Sequence, residues 1–213
     1  MNTEVYNIAL RSFSISLSAT LLSLTWSIPL SIKIAAMKHR VRDIIIGAFN
    51  ALLGFPTVLV GLLLYLVFSC SGPLGFLGLL YTPQVIIIGQ AILITPLLVS
   101  LMYEVFVKAL NEYWELALSL GATKGQAYKL IVREVSGDVL VASLIGFSRA
   151  IGELGVALMV GGNIKGYTRV FTTAIALEVE KGEFDVAIVL GVLLFIVVLS
   201  IILSVRMVKG RIK

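Results

Sequence analysis

The stretch EVFVKALNEYWELALSLGATKGQAYKLIVRE, Glu104–Glu134, decides the reading of this chain. It is too polar to sit in lipid, yet it lies between apolar runs that are each long enough to cross a bilayer. Its first half places Phe106, Leu110, Tyr113, Ala117 and Leu120 three or four residues apart, the period of an amphipathic helix. Asn111 can cap a turn there, and Glu112 and Glu115 suit the positive N-terminal end of a helix. Gly121 supplies the left-handed residue that ends such a helix. Thr123, with Gln126 three residues on, fits a capping box that opens a second helix, with Ala127, Ile131 and Val135 on one side. The spacing predicts two short amphipathic helices around a glycine, a knob on one face of a membrane. An ordinary surface loop with amphipathic helices fits the same spacing.

Outward from the knob, composition sets the class. Of 213 residues 59% are hydrophobic and only 14% charged, too little polar surface to cover a soluble globule. The chain reads as one all-α integral membrane domain, residues 1–213. The net charge of +5 does not point to nucleic acid, because the basic residues cluster at the ends of the apolar runs. A single cysteine, Cys70, excludes an internal disulfide, and it matches no metal-ligand spacing. His39, alone among basic neighbours, reads as a flank residue.

Five apolar runs are expected to span: about 12–36, 44–69, 84–103, 139–160 and 186–205. The first is too long for a signal peptide, and Lys38-His39-Arg40 with Arg42 follow it where a cleavage site would stand. Gly47, Gly54 and Gly61 in the second run let helices approach closely. Residues 69–83, with Gly72-Pro73, Gly75 and Gly78, read as a turn or shallow re-entrant piece. The polar knob, taken as 104–137, separates runs three and four. Gly161–Arg169 is a polar turn, and Phe171–Glu180 is a helix too short to span; together they fill an outer segment, 161–183.

Lys and Arg give the orientation. The knob side holds Lys33, Lys38, Arg40, Arg42, Lys108, Lys124, Lys129 and Arg133, and the tail adds Arg206, Lys209, Arg211 and Lys213. The opposite side holds Arg11, Lys165, Arg169 and Lys181. The positive-inside rule therefore predicts a cytoplasmic knob and C-terminus, with the N-terminus outside.

Arg149 and Glu153 are the only ionisable residues deep within an apolar run. At i and i+4 they share a helix face and can pair, as a lining of a translocation path or gate, or as a pin between helices. Thr57, after Pro56, is a weaker path candidate. Gly161, Gly162, Asn163, Thr168 and Arg169 offer amides, polar side chains and a cation at the outer surface. They suit an oxyanion, though docking of a partner is the preferred reading, since a transported ion must not be held tightly. No phosphate-binding loop GxxxxGK[ST], nucleophile–base pair or metal cluster is evident, so no catalytic residue and no metal ligand is expected.

Glu115-Leu116-Ala117, three residues, Gly121, nine residues and Ile131 resemble the E-A-A…G…I signature of ABC-importer permeases. Leu116 replaces the usual alanine, and Arg133-Glu134 stand where that family often has Leu-Pro. The resemblance covers nearly the whole chain. Ser69–Gln84 and Gly146–Phe184, with its GGNIKGYTR and FTTAIALE blocks, look like permeases of tungstate-specific importers in the molybdate/sulfate group. It implies the type I importer permease fold and a homodimer of this chain, with no ligand of its own beyond membrane lipid. It implies two copies of an ATPase that carry the ATP and Mg, and an extracytoplasmic binding protein. It places Glu115, Leu116, Ala117, Gly121, Ala122, Thr123 and Ile131 in the segment that couples to the ATPase. Tungstate is the first substrate choice, with molybdate or sulfate as alternatives. A gradient-driven transporter would instead need paired broken helices or ionisable relays across several spans. A non-transporting scaffold explains the knob but leaves the charged pair without a role.

Overall fold

The computed structural model describes residues 2–212, with side chains described for 3–204. Lys213 of the basic tail lies outside the described residues, as do the side chains of Arg206, Lys209 and Arg211. The elements are helical: α1 (Asn2–Ala35), α2 (His39–Leu52), α3 (Thr57–Phe68), a 3-10 turn (Gly75–Leu77) and α4 (Pro83–Ser119). There follow α5 (Lys124–Glu134), α6 (Ser136–Ile151), α7 (Gly155–Gly161), α8 (Phe171–Glu180) and α9 (Phe184–Ile212).

Among the described residues, α1, α4 and α9 are each long and apolar enough to cross a membrane alone. The second and fourth expected spans are not continuous. The second is α2 and α3, bent by 92°, and the fourth is α6 and α7, bent by 57°. Counting each bent pair once gives the five spans expected. The first bend falls where Gly54 and Pro56 interrupt the helix, since proline has no N–H to donate and restricts the residue before it. The second falls at Gly152.

The knob also differs from its expected form. Its first half is not a separate short helix but the end of α4, which runs 37 residues from Pro83. Residues 104–120 contain neither glycine nor proline, so nothing stops the helix where it leaves the apolar layer. Asn111 is therefore mid-helix and caps nothing. Leu120, expected on the apolar side, is 79% exposed.

The centre of the fold is α1 against α4. Ser12, Ser16, Thr20, Ser23, Ser27 and Ser31 recur every three or four residues along α1 and are all buried. Small side chains let two backbones approach closely where no hydrophobic drive separates helix from lipid. Several of these hydroxyls return to their own helix: Ser12 to the Ile8 carbonyl at 2.8 Å, Thr20 to Ser16 at 2.8 Å and Ser31 to Ser27 at 2.7 Å. Others reach α4, Ser23 to the Thr95 hydroxyl at 2.9 Å and Ser31 to the Val99 carbonyl at 3.3 Å. The contacts advance along both helices together, so α1 and α4 run in the same direction. One end of this pair is closed by Met102, Phe106, Ala109 and Ile131 beneath the knob, the other by Ile86, Val156 and Val160.

Ser27→Leu tests the stripe. Overpacking a fully buried small site costs about 1–3 kcal/mol, so the purified variant is expected to melt several degrees lower in detergent than the parent. An unchanged midpoint would mean that α1 and α4 do not depend on this close approach.

Candidate functional site

The knob is closed by two local motifs that the sequence spells out. At the end of α4, Gly121 takes φ +85°, its N–H bonds to the Leu118 carbonyl at 3.0 Å, and the Ala122 N–H bonds to Ala117 at 3.0 Å. These paired bonds form a Schellman motif, which needs a left-handed residue and hence favours glycine. Two residues on, the Gln126 N–H donates to Thr123 Oγ1 at 3.3 Å while the Thr123 N–H donates to Gln126 Oε1 at 2.7 Å. That is the expected capping box, and it opens α5. Ala127, Ile131 and Val135 are buried as expected, and so is Ala117.

The seven knob residues thus divide. Ala117 and Ile131 are buried, Ile131 packing α5 against Phe106 and Ala109 of α4, and Ala122 is half-buried. Glu115, Leu116, Gly121 and Thr123 face outward. Leu116 and Leu120 form an exposed apolar tip amid polar neighbours. An exposed apolar patch rimmed by polar groups is a feature of interaction sites.

The second region is the α6–α7 bend. Arg149 Nη1 donates to Glu153 Oε2 at 2.9 Å, the expected pair. The two do not lie along one helix, however, because Glu153 falls in the break after α6. Its Oε1 accepts the Val156 N–H at 3.2 Å and so caps α7. Glu153 is buried, whereas Arg149 is partly open to a groove of about 510 Å³ shared with Leu97, Leu144, Ile145, Ser148, Ile201 and Ile202. Thr57 begins α3 and meets this bend. A Cβ added to Gly155 would fall 2.7 Å from Thr57 Oγ1 and 3.0 Å from the Val58 nitrogen. The fold therefore sets Thr57 against Gly155, two residues past Glu153, where the two broken spans touch, while Arg149 pairs with Glu153 and opens to its own groove.

The third region is the turn after α7. Thr168 is fully buried, donating to the Gly161 carbonyl at 2.6 Å and accepting the Ile164 N–H at 2.9 Å. Asn163 Nδ2 donates to the Thr173 carbonyl at 3.1 Å, and Arg169 Nε donates to Asn163 Oδ1 at 3.2 Å. These groups hold the turn's own shape, and Gly161 is buried with them. The surface left outward is Gly162 and Ile164–Tyr167. The turn is also tied to the start of α1. Arg11 Nη1 donates to the Arg169 carbonyl at 2.8 Å, while Lys165 and Arg169 approach Glu4 at 3.1 and 3.5 Å.

Glu4, Gly155, Thr172, whose hydroxyl donates to the Glu153 carbonyl at 2.8 Å, and the α1 serine stripe are not singled out in the sequence reading. Only the stripe carries a signal, its period of three to four; the others matter through contacts made in the folded chain.

The family profile described as "Binding-protein-dependent transport system inner membrane component" matches residues 27–212. The chain is 39% identical to the tungstate uptake system permease protein of Peptoclostridium acidaminophilum, over 93% of this chain and 87% of the relative. It is 35% identical to the probable anion ABC transporter permease protein of Haloferax volcanii, over 93% and 88%. Identity to the molybdenum transport system permease protein of Azotobacter vinelandii is 30%, over 80% and 82%.

Thr123→Ala removes one half of the capping box, at a cost of about 1 kcal/mol or roughly fivefold in local opening. Amides in the first turn of α5 are expected to exchange hydrogen faster by that factor while α1 and α4 amides are unchanged. Equal rates in α5 would show that the cap contributes nothing to the knob.

Proposed function

The chain belongs to the family of binding-protein-dependent transport system inner membrane components, and on that premise we propose that it is the membrane permease of an ATP-driven importer of tungstate. The observation that carries the reading is the exposed knob. A helix that leaves the apolar layer, turns at Gly121 and returns as α5 presents Glu115, Leu116, Gly121 and Thr123 to a partner. In this reading the partner is an ATPase present in two copies, which binds ATP and Mg, while this chain binds no cofactor. Two copies of the chain enclose the path, since five spans surround little space alone. The knob faces the cytoplasm, as the Lys and Arg distribution favours.

The substrate choice follows the relatives. The protein from Peptoclostridium is named for tungstate uptake, at higher identity than the one named for molybdenum transport. Molybdate and sulfate remain the alternatives to be tested beside it. In the cycle, ATP draws the ATPase subunits and their knobs together, the spans tilt, and the anion enters from a binding protein docked at the outer turn. That turn meets its partner through Gly162 and Ile164–Tyr167, while Gly161, Asn163, Thr168 and Arg169 keep its shape. Thr57, Arg149 and Glu153 form the gate region.

Uptake of labelled tungstate into vesicles holding the permease, its ATPase and the binding protein tests the whole reading. Excess molybdate or sulfate is expected to compete only weakly, and uptake in ATP-free vesicles driven by an ion gradient would overturn the ATP-driven mechanism. Gly121→Asp places a side chain and a negative charge at the outward turn. It is expected to leave membrane abundance unchanged and to lower uptake about tenfold, the scale of one interface contact of ~1.4 kcal/mol. Normal substrate-stimulated ATP hydrolysis in that variant would remove the knob from the coupling mechanism.

A further inference from the structure

Glu153 sits between two helices and holds both. Oε2 accepts from Arg149, in the last turn of α6, and Oε1 accepts the N–H of Val156, in the first turn of α7. The Glu153 carbonyl is taken as well, by the Thr172 hydroxyl of α8 at 2.8 Å. The side chain is 3% exposed, so water has little access to either bond. We infer that Glu153 is the clasp of a hinge, fixing the 57° bend between α6 and α7 by gripping both helices, and that the gate moves when one grip is released. The inference rests on the permease reading above and assigns the Arg149–Glu153 pair to the gate, not to anion contact.

The lever for this hinge is built into the chain. α5 and α6 are separated by Val135 alone, which is buried. The last bond of α5, from the Val135 N–H to Ile131 at 3.0 Å, and the first bond of α6, from the Val139 N–H to Val135 at 2.9 Å, both end on this one residue. A displacement of the knob is therefore delivered along α6 to Arg149 and Glu153. Past the clasp, Gly155 is pressed against Thr57 and Gly61 against Met159, so α7 and α3 move as one body. The bend in the second span is thereby coupled to the bend in the fourth.

An anion ligand would be built differently. Both Glu153 oxygens are occupied, its charge repels an oxyanion, and Arg149 is already matched by that charge. The two readings predict opposite signs. If the pair lined the anion's route, Glu153→Gln would remove repulsion and raise uptake. If it is a clasp, Glu153→Gln keeps one acceptor oxygen and can hold only one helix at full strength.

The test uses the full assembly in vesicles, with tungstate uptake and ATP hydrolysis measured together. Glu153→Gln and Arg149→Gln are each expected to lower tungstate moved per ATP hydrolysed about tenfold, the scale of one charge-assisted bond. Hydrolysis continues in both. The double variant is no worse than either, because both remove the same strap. Arg149→Lys keeps the positive charge and enough reach for the single bond seen here, and stays within about twofold of the parent, since no bidentate geometry is lost. Faster uptake in Glu153→Gln, additive losses in the double variant, or an Arg149→Lys variant as damaged as Arg149→Gln would each overturn the clasp. Should Glu153→Gln not assemble with the ATPase, Arg149→Gln still decides between the readings: a lost clasp lowers tungstate moved per ATP even at saturating tungstate, whereas a loss that saturating tungstate restores would mean an anion contact and overturn the clasp. A parent assembly that moves no tungstate with ATP would instead defeat the permease reading itself.

Discussion

A span of backbone in lipid must pair every N–H and C=O within the protein, because the hydrocarbon offers no partner. This chain breaks two of its spans nevertheless, and the freed groups are taken up by polar side chains at one break and by backbone turns at the other. At the α6–α7 bend, the Glu153 carboxylate takes the Val156 N–H and the Thr172 hydroxyl takes the Glu153 carbonyl. At the α2–α3 bend, the N–H groups of Leu53, Gly54 and Phe55 turn back to Asn50, Ala51 and Leu52. Beyond α7, Thr168 closes on Gly161 and Ile164. A membrane helix can be interrupted only where such groups are supplied, so the bends are specified positions and not weak points.

Bends that are specified can also be joined. Glycine at 61 and 155 lets α3 and α7 approach until no Cβ fits between Gly155 and Thr57. Close packing of this kind transmits displacement, because it has no slack to absorb it. The knob stands at one end of the same chain of contacts, through α5, Val135 and α6. At the other end, the turn after α7 is bound to α1 by Arg11, Lys165 and Arg169. On the proposed reading, motion that begins outside the apolar layer crosses it by this chain of contacts.

How much of this is legible in the sequence depends on range. Gly121, Thr123 with Gln126, and the Ala127–Ile131 face can be read directly because each motif is settled within a few residues. Phe171–Glu180 is legible to its ends for the same reason. Apolar runs read as unbroken spans because hydrophobicity says where a segment lies and little about its direction. Gly54 and Pro56 mark the first bend, but glycine and proline also occur in helices that continue, as Pro29 does in α1 and Pro96 in α4. The Arg149–Glu153 pair shows in its i, i+4 spacing, yet the second bond of Glu153 is invisible there, since it exists only once the helix has broken. The outer turn looks like a binding surface when its polar residues are counted as free; Asn163, Thr168 and Arg169 are mostly spent on the turn itself.

The distribution of charge bears on what an anion meets inside. No Asp, Glu, Lys, Arg or His occurs between Asp43 and Glu104, a stretch that includes α3 and most of the apolar part of α4. Within the fourth span, the one cation is neutralised at 2.9 Å by its own carboxylate. A fixed, unpaired cation at membrane depth would bind an oxyanion strongly, and a strong site slows release. A path lined by hydroxyls, backbone groups and apolar side chains holds the ion weakly and lets it leave. On the proposed permease reading, selection falls to the protein that delivers the anion, and the drive enters through the knob. The chain's poverty in charge is therefore consistent with a conduit that neither chooses its cargo nor drives it.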